Sequence, residues 1–290
     1  MGNTFTDVTA REVDFVSRFG RNWDALKDIL GIMRPIKKAS GTVLVSYEAT
    51  VPDGLAKSPS AGQQIPMTEI NVTEARKDDI TIEKYGKEAT IEDVSKYGAE
   101  IAIQKTDEAF LNELQGTVLD RFYTFLNTGS LTSAEPSFQE ALAMAKANVL
   151  DKFNTIKKTV TDVVGFANIL DAYKYIGTAN ITVQTAFGIQ YVKDFMGYKT
   201  LFLLSEPQIA RGTVIATPVE NIDLYYVDPT EEDFKKLGLD YRVDGETNLI
   251  GFHAMGNYGK AVGESYAVMG MTLWAEYLDG IAVVTVDDSF

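Results

Sequence analysis

The sequence predicts an α+β chain whose helix–strand body sends out long excursions, and three observations carry that prediction. Residues 41 to 91 alternate apolar and polar residues on both sides of a soft stretch, VPDGLAKSPSAGQQIP. A single helical pattern, AEIAIQKTDEAFLNELQGTVLDRFYTFLNTG, runs on for about 30 residues, or roughly 45 Å. From 137 to 228, helical and strand patterns follow one another closely enough to suggest a compact α/β domain.

The first element is an arm. Val13, Val16, Phe19, Trp23, Leu26, Ile29, Leu30 and Met33 recur at spacings of three and four, which predicts a helix or broken helix over 11–33. Gly20 interrupts the pattern and Pro35 ends it. Little nearby in sequence could cover this narrow stripe. Residues 11 to 40 carry a net charge of about +3 in a chain of net charge −14, so a basic arm is set against an acidic body.

The hairpin comes next. Val43, Val45, Tyr47, Ala49 and Val51 alternate with mostly polar residues, and MTEINV and DDITIEKYGKEATI repeat the pattern after the soft tip. A two-stranded ribbon of this kind is marginal alone in water and needs cover from its own body or a neighbour. Thr90 to Asp93 form a capping sequence, followed by a turn to Gly98. The long helix then begins, with Ile103, Thr106, Phe110, Leu114, Val118 and Phe122 on one stripe, Gly116 inside it and Gly129 as its stop.

SLTSAEP, 130 to 136, reads as a linker. Ser137 with Glu140 opens the helix SFQEALAMAKANVLDKF. VTDVVGF is a buried strand, and Asn168 caps the short helix NILDAYKYIG. TLFLL, TVIATP and NIDLYYVD are strands, and EEDFKKL is a short helix. LIGFHAMG, ESYAVMGMTLWAEY and IAVVTV close the chain as strands, the last after a Leu-Asp-Gly turn.

The search for chemistry returns little. The chain has no cysteine and one histidine, His253, so disulfides, thiolate metal sites and two-histidine zinc sites within one chain are excluded. Gly263-Glu264-Ser265-Tyr266-Ala267 loosely matches a nucleophile elbow, but a strand pattern follows it where that motif requires a helix. The glycines at 256, 259 and 263 fit hairpin turns better than a phosphate loop. The acidic clusters at Asp78-Asp79 and at Asp228 with Glu231 to Asp233 lack the spacing of a calcium loop. Nothing calls for a cofactor or a metal, and the expectation is a protein that is not an enzyme. The net negative charge argues against a dedicated nucleic-acid binder. No run approaches the roughly 20 apolar residues of a membrane span, and a cytosolic chain is the default reading.

The order of elements resembles the tailed-phage major capsid proteins with the HK97 fold. The stretches YGKEATIEDVSKYGAEIAIQKTDEAFLNEL, ATPVENIDLYYVD and YAVMGMTLWAEYLDG are similar to capsid proteins of phages and prophages of Gram-positive bacteria. The resemblance implies an N-terminal arm over 1–40 and an extended hairpin, the E-loop, over 41–90. It further implies a peripheral domain from 91–132 and 229–290, with a spine helix at about 99–128, and an axial domain over 133–228. It implies a shell subunit that gathers as pentamers and hexamers into an icosahedral head around double-stranded DNA, contacted non-specifically. A portal and a separate scaffolding protein would be its partners, and no membrane. Leu55 and Lys57 at the hairpin tip and Arg18, Arg21 and Trp23 on the arm are the expected inter-subunit contacts. Two other readings stand beside this one: an encapsulin-type nanocompartment shell on the same fold, and a hydrolase using Ser265 and His253.

Overall fold

The computed structural model describes residues 4–30, 35–50, 62–64, 67–80, 82–177, 182–186, 189–243, 245, 248–275 and 277–287. It contains two β-sheets that share one long helix, plus a separate two-stranded ribbon.

The chain opens with helix α1 (Thr4–Leu30), which continues unbroken through Gly20. Strand β1 (Ile36–Lys38) leads into the ribbon, β2 (Val43–Thr50) and β3 (Asn71–Asp79), which pair antiparallel with a register shift between Ser46 and Tyr47. Strand β4 (Glu83–Thr90) is not part of the ribbon. It pairs along its whole length with β13 (Val262–Ala275), from Thr90 opposite Val262 to Glu83 opposite Met269. The alternating pattern over 41–91 thus serves two structures, because alternation reports one covered face and not the partner that covers it.

Thr90 ends β4 and caps α2 (Ile91–Tyr97), its hydroxyl accepting from the Asp93 N–H at 3.1 Å. Gly98, at φ +84°, makes the corner into α3 (Ala99–Leu126), a conformation that glycine adopts without a side-chain clash. The buried face of α3 is wider than a single stripe. Asp107, Leu111, Leu114, Gln115, Val118, Leu119, Phe122 and Leu126 are all covered, because α3 is packed from two sides.

It lies along a five-stranded sheet of β1, β11 (Ile222–Val227), β13, β12 (Ile250–Asn257) and β4, with α1 beside it and Arg121 near its end paired with Glu83 of β4. Its last turns also pack on a seven-stranded sheet. The order there is β5 (Leu131–Glu135), β14 (Ala282–Val286), β10 (Thr213–Pro218), β6 (Val163–Asn168), β9 (Tyr198–Leu204), β8 (Ile189–Phe195) and β7 (Gln184–Ala186). On the opposite face of that sheet sit α4 (Phe138–Thr155) and α5 (Ile169–Ile176). The central strand β6 is therefore buried on both faces: Val164 and Phe166 look toward α3, and Val163 and Ala167 toward α4. Phe166 stacks on Phe202 at 5.1 Å and meets Phe122 edge-on at 5.6 Å, tying α3 to the sheet.

Three expectations change. The 130–136 linker contains β5, which pairs parallel with β14 some 150 residues later. The last strand, expected with the unit around α3, lies in the seven-stranded sheet, while β11, placed by sequence in the α/β stretch, belongs to the five-stranded sheet. The arm's stripe does have a core of its own: Phe15, Val16, Phe19 and Trp23 belong to the main cluster with α3, β12 and β13. A sequence pattern fixes which face is apolar, and only the tertiary pairing decides what covers it. Short α6 (Glu232–Lys236) matches its expected position.

Candidate assembly interface

The ribbon is fixed at its base and uncovered beyond it. Leu44 and Ile80 are buried in a small cluster with Val227 and Trp274, which roots the strands on the five-stranded sheet. Beyond the root, Val43, Tyr47 and Ala49 on β2 share a face with Val72 on β3, Ala49 standing directly opposite Val72. Tyr47 and Val72 are each 63% exposed, so the subunit's described residues leave this apolar face open. Next to the root, a cavity of about 360 Å³ opens between ribbon, α3 and sheet, with Leu224, Met271 and Phe125 on its floor and Asp78, Glu83 and Arg121 at its rim. Arg121 and Tyr85 both pair with Glu83, so the rim charges are already engaged.

The arm is held by two polar clasps. In the first, Arg11 donates to both oxygens of Asp107 at 2.6 Å and to the Ser265 hydroxyl at 3.0 Å. Lys87 on β4 approaches the same carboxylate at 2.6 Å and donates to Thr106 at 2.8 Å. Burial pushes the Asp107 carboxyl up, but Arg11 and Lys87 outweigh it and hold it below the usual carboxylate range. Burial pushes Lys87 down; Asp107 offsets only part of that, and Arg11 adds repulsion. In the second clasp, Glu12 accepts from the Ala254 N–H at 2.7 Å, with His253 Nδ1 at 3.3 Å and Arg242 Nε at 3.7 Å. Phe15 stacks on Phe252 at 4.1 Å between the clasps.

The expected contact residues divide. Leu55 and Lys57 lie outside the described residues. Arg18 pairs along the helix with Asp14 at 2.9 Å, and Arg21 is exposed. Trp23 is 1% exposed inside the subunit's own core, so in this conformation its indole is not on an outer surface. Its place at i+8 from Phe15 puts it on the buried side of α1. The residues that sequence reasoning missed are Arg11, Glu12, Lys87 and Asp107. One signal existed for Asp107, a carboxylate set within the apolar stripe of the long helix.

Ser265 and His253 do not form a nucleophile–base pair. Ser265 stands opposite Ala254 and His253 opposite Tyr266, so the two side chains leave opposite faces of the sheet. Ser265 is 1% exposed and engaged by Arg11. Among the described residues no cluster of three or more His, Cys, Asp or Glu could hold a metal ion, and no helix is long and apolar enough to cross a membrane.

No protein-family model matches the sequence, and no curated protein matches it. Solved structures do match. The mature capsid of bacteriophage PhiM1 aligns over 88% of this chain and 86% of its own at 7% identity, with a TM-score of 0.56. The chain has the capsid fold. The virus-like particle from Pyrococcus furiosus shares that fold over 93% of this chain and 97% of its own, at 11% identity and a TM-score of 0.53. The Mycobacterium phage Che8 chain shares it over 84% and 85%, at 12% identity and 0.51. In the capsid fold of this chain the ribbon is rooted but has an open apolar face, and the clasps fix the arm.

Proposed function

We propose that this chain is a structural shell subunit, the major capsid protein of a tailed phage head. The observation that carries the reading is the match of nearly the whole chain to capsid subunits, together with a rooted ribbon whose apolar face its own subunit leaves open. Such a face is a stable arrangement when a neighbouring copy covers it. On this reading copies gather as pentamers and hexamers into a closed icosahedral shell around non-specifically contacted double-stranded DNA, in the host cytoplasm, with a portal and a separate scaffolding protein as partners. Residues 1–40 act as arm and the ribbon within 41–80 as E-loop; the unit around the five-stranded sheet, which includes β4 and β11, serves as peripheral domain, and the unit around the seven-stranded sheet, which includes β14, serves as axial domain. Leu55, Lys57, Arg18 and Arg21 are the contacts toward neighbours. The chain carries out no catalytic reaction.

Deleting residues 53–63 tests this. A folded, soluble subunit that no longer forms stable shells, seen by circular dichroism and negative-stain microscopy, is the expected result. Normal shells from the deleted chain would refute the neighbour-contact role.

A second reading has its own observation. The arm is a 27-residue helix docked on its own subunit, and encapsulin-type shell proteins also begin with a helix. That favours an encapsulin-type shell, and the holo-SrpI encapsulin of Synechococcus elongatus PCC 7942 is among the similar structures, at a TM-score of 0.50 and 11% identity. Microscopy separates the two readings: large DNA-filled heads support the phage capsid, and small closed shells without a portal support the other.

A further inference from the structure

Strand β12 is the end of the five-stranded sheet's hydrogen-bonded path, so among the described residues no strand lies along one side of its backbone. An open edge of this kind is a template for a strand from another molecule. Three of the outward-facing groups are nevertheless taken. Phe252 exchanges both backbone hydrogen bonds with Arg242 at 2.9 Å, and two residues on, the outward N–H of Ala254 donates to Glu12 at 2.7 Å. Glu12 is only 5% exposed, and Arg242 and the ring of His253 face its carboxylate. It is held there by its neighbour Arg11, locked on Asp107. Beyond the covered part, the hairpin exposes Met255 at 48% and Tyr258 at 100%, an apolar margin that would reward strand addition.

We propose that α1 carries an edge guard: the Glu12 carboxylate, seated on the Ala254 N–H, keeps β12 from pairing with β12 of a second copy of the chain. A two-fold contact of this kind would join copies edge to edge through the sheet. The guard is a side chain rather than a strand, so it satisfies the donor without offering a new edge. The inference does not depend on the shell reading, since every copy of this chain has the same edge.

The test uses full-length chains carrying M255C, a half-exposed position in a chain with no native cysteine. Three versions are compared, with native Glu12, with E12A and with E12Q. Each is held as dispersed subunits, treated with a short bis-maleimide, and followed by amide exchange over 252–256. E12A should give crosslinked dimer at least about ten-fold above the native chain, rising with concentration, with faster exchange at Ala254. The Gln carbonyl still accepts from the N–H, so E12Q should stay at the native level. The idea fails if folded E12A crosslinks no more than native, if E12Q crosslinks as E12A does, or if the native chain already crosslinks as readily. A second measurement needs no Glu12 variant. In sub-denaturing urea, the native-Glu12 chain should crosslink in step with amide opening at Ala254, and crosslinking that stays flat as Ala254 opens overturns the guard.

Discussion

Asp107 is the residue on which the arm turns. Its carboxylate, 3% exposed, neutralises two cations that approach it from different elements, Arg11 from α1 and Lys87 from β4. Removing one partner of a buried ion pair leaves an uncompensated charge, and here it leaves two cations facing each other. D107N should therefore cost about 3–5 kcal/mol in urea unfolding, far more than a surface ion pair such as Lys105–Glu108 would. Equal stability in D107N would show that the clasp contributes nothing to the fold. Asp228 gives a pH prediction. Burial raises its carboxyl, but the Lys37 ammonium, Thr230 and Asn248 more than offset this and hold it at about 2, against 3.8 for a free side chain. A carboxyl depressed in the folded state stabilises above the unfolded value and loses that contribution as pH falls through the folded one. The native chain should thus lose at most about 2 kcal/mol between pH 4 and 2 that D228N does not lose. Parallel acid-unfolding curves for the two chains would refute the assignment.

At the scale of elements, helix ends and close approaches set the register. Ser137 accepts from the Glu140 N–H and donates to its carboxylate at 2.7 Å, so S137A should cost about 1 kcal/mol through α4. Gly129, just past α3, faces the chain before β14 so closely that an added Cβ would lie 2.6 Å from the Ile281 carbonyl oxygen. G129A should cost about 1–3 kcal/mol, read as a lowered Tm, because backbone must move to admit it. Both capping sequences and the long helix were legible in the sequence, since each depends on residues a turn apart. Strand β5 was not, because LTSAE is short and polar and becomes a strand only against β14. The partner of β4 was hidden for the same reason. The arm's apolar stripe was legible, but its docking was not, because Arg11 and Asp107 lie 96 residues apart. Of the candidate interface, alternation showed that the ribbon has an apolar face, but not that the chain leaves it open, and the guard on β12 was not legible at all.

For the molecule as a whole, the ribbon separates folding from association. Its root is buried and its outer face is not, so side chains on that face can change with little effect on the isolated subunit. Replacing Tyr47 and Val72 together with Ser should leave the subunit's stability within about 0.5 kcal/mol while lowering shell yield severely. Shells at native yield would move the contact elsewhere. The inter-strand pairings also impose an order in time. The arm docks on β12, β4 pairs with β13, and β5 has its sheet partner in β14, so early elements wait for the last strands of the chain. Translation must pass residue 275 before the five-stranded sheet can close and residue 286 before the seven-stranded one can. A nascent chain therefore carries no closed sheet until those strands have emerged, so contacts that need a folded subunit are made late.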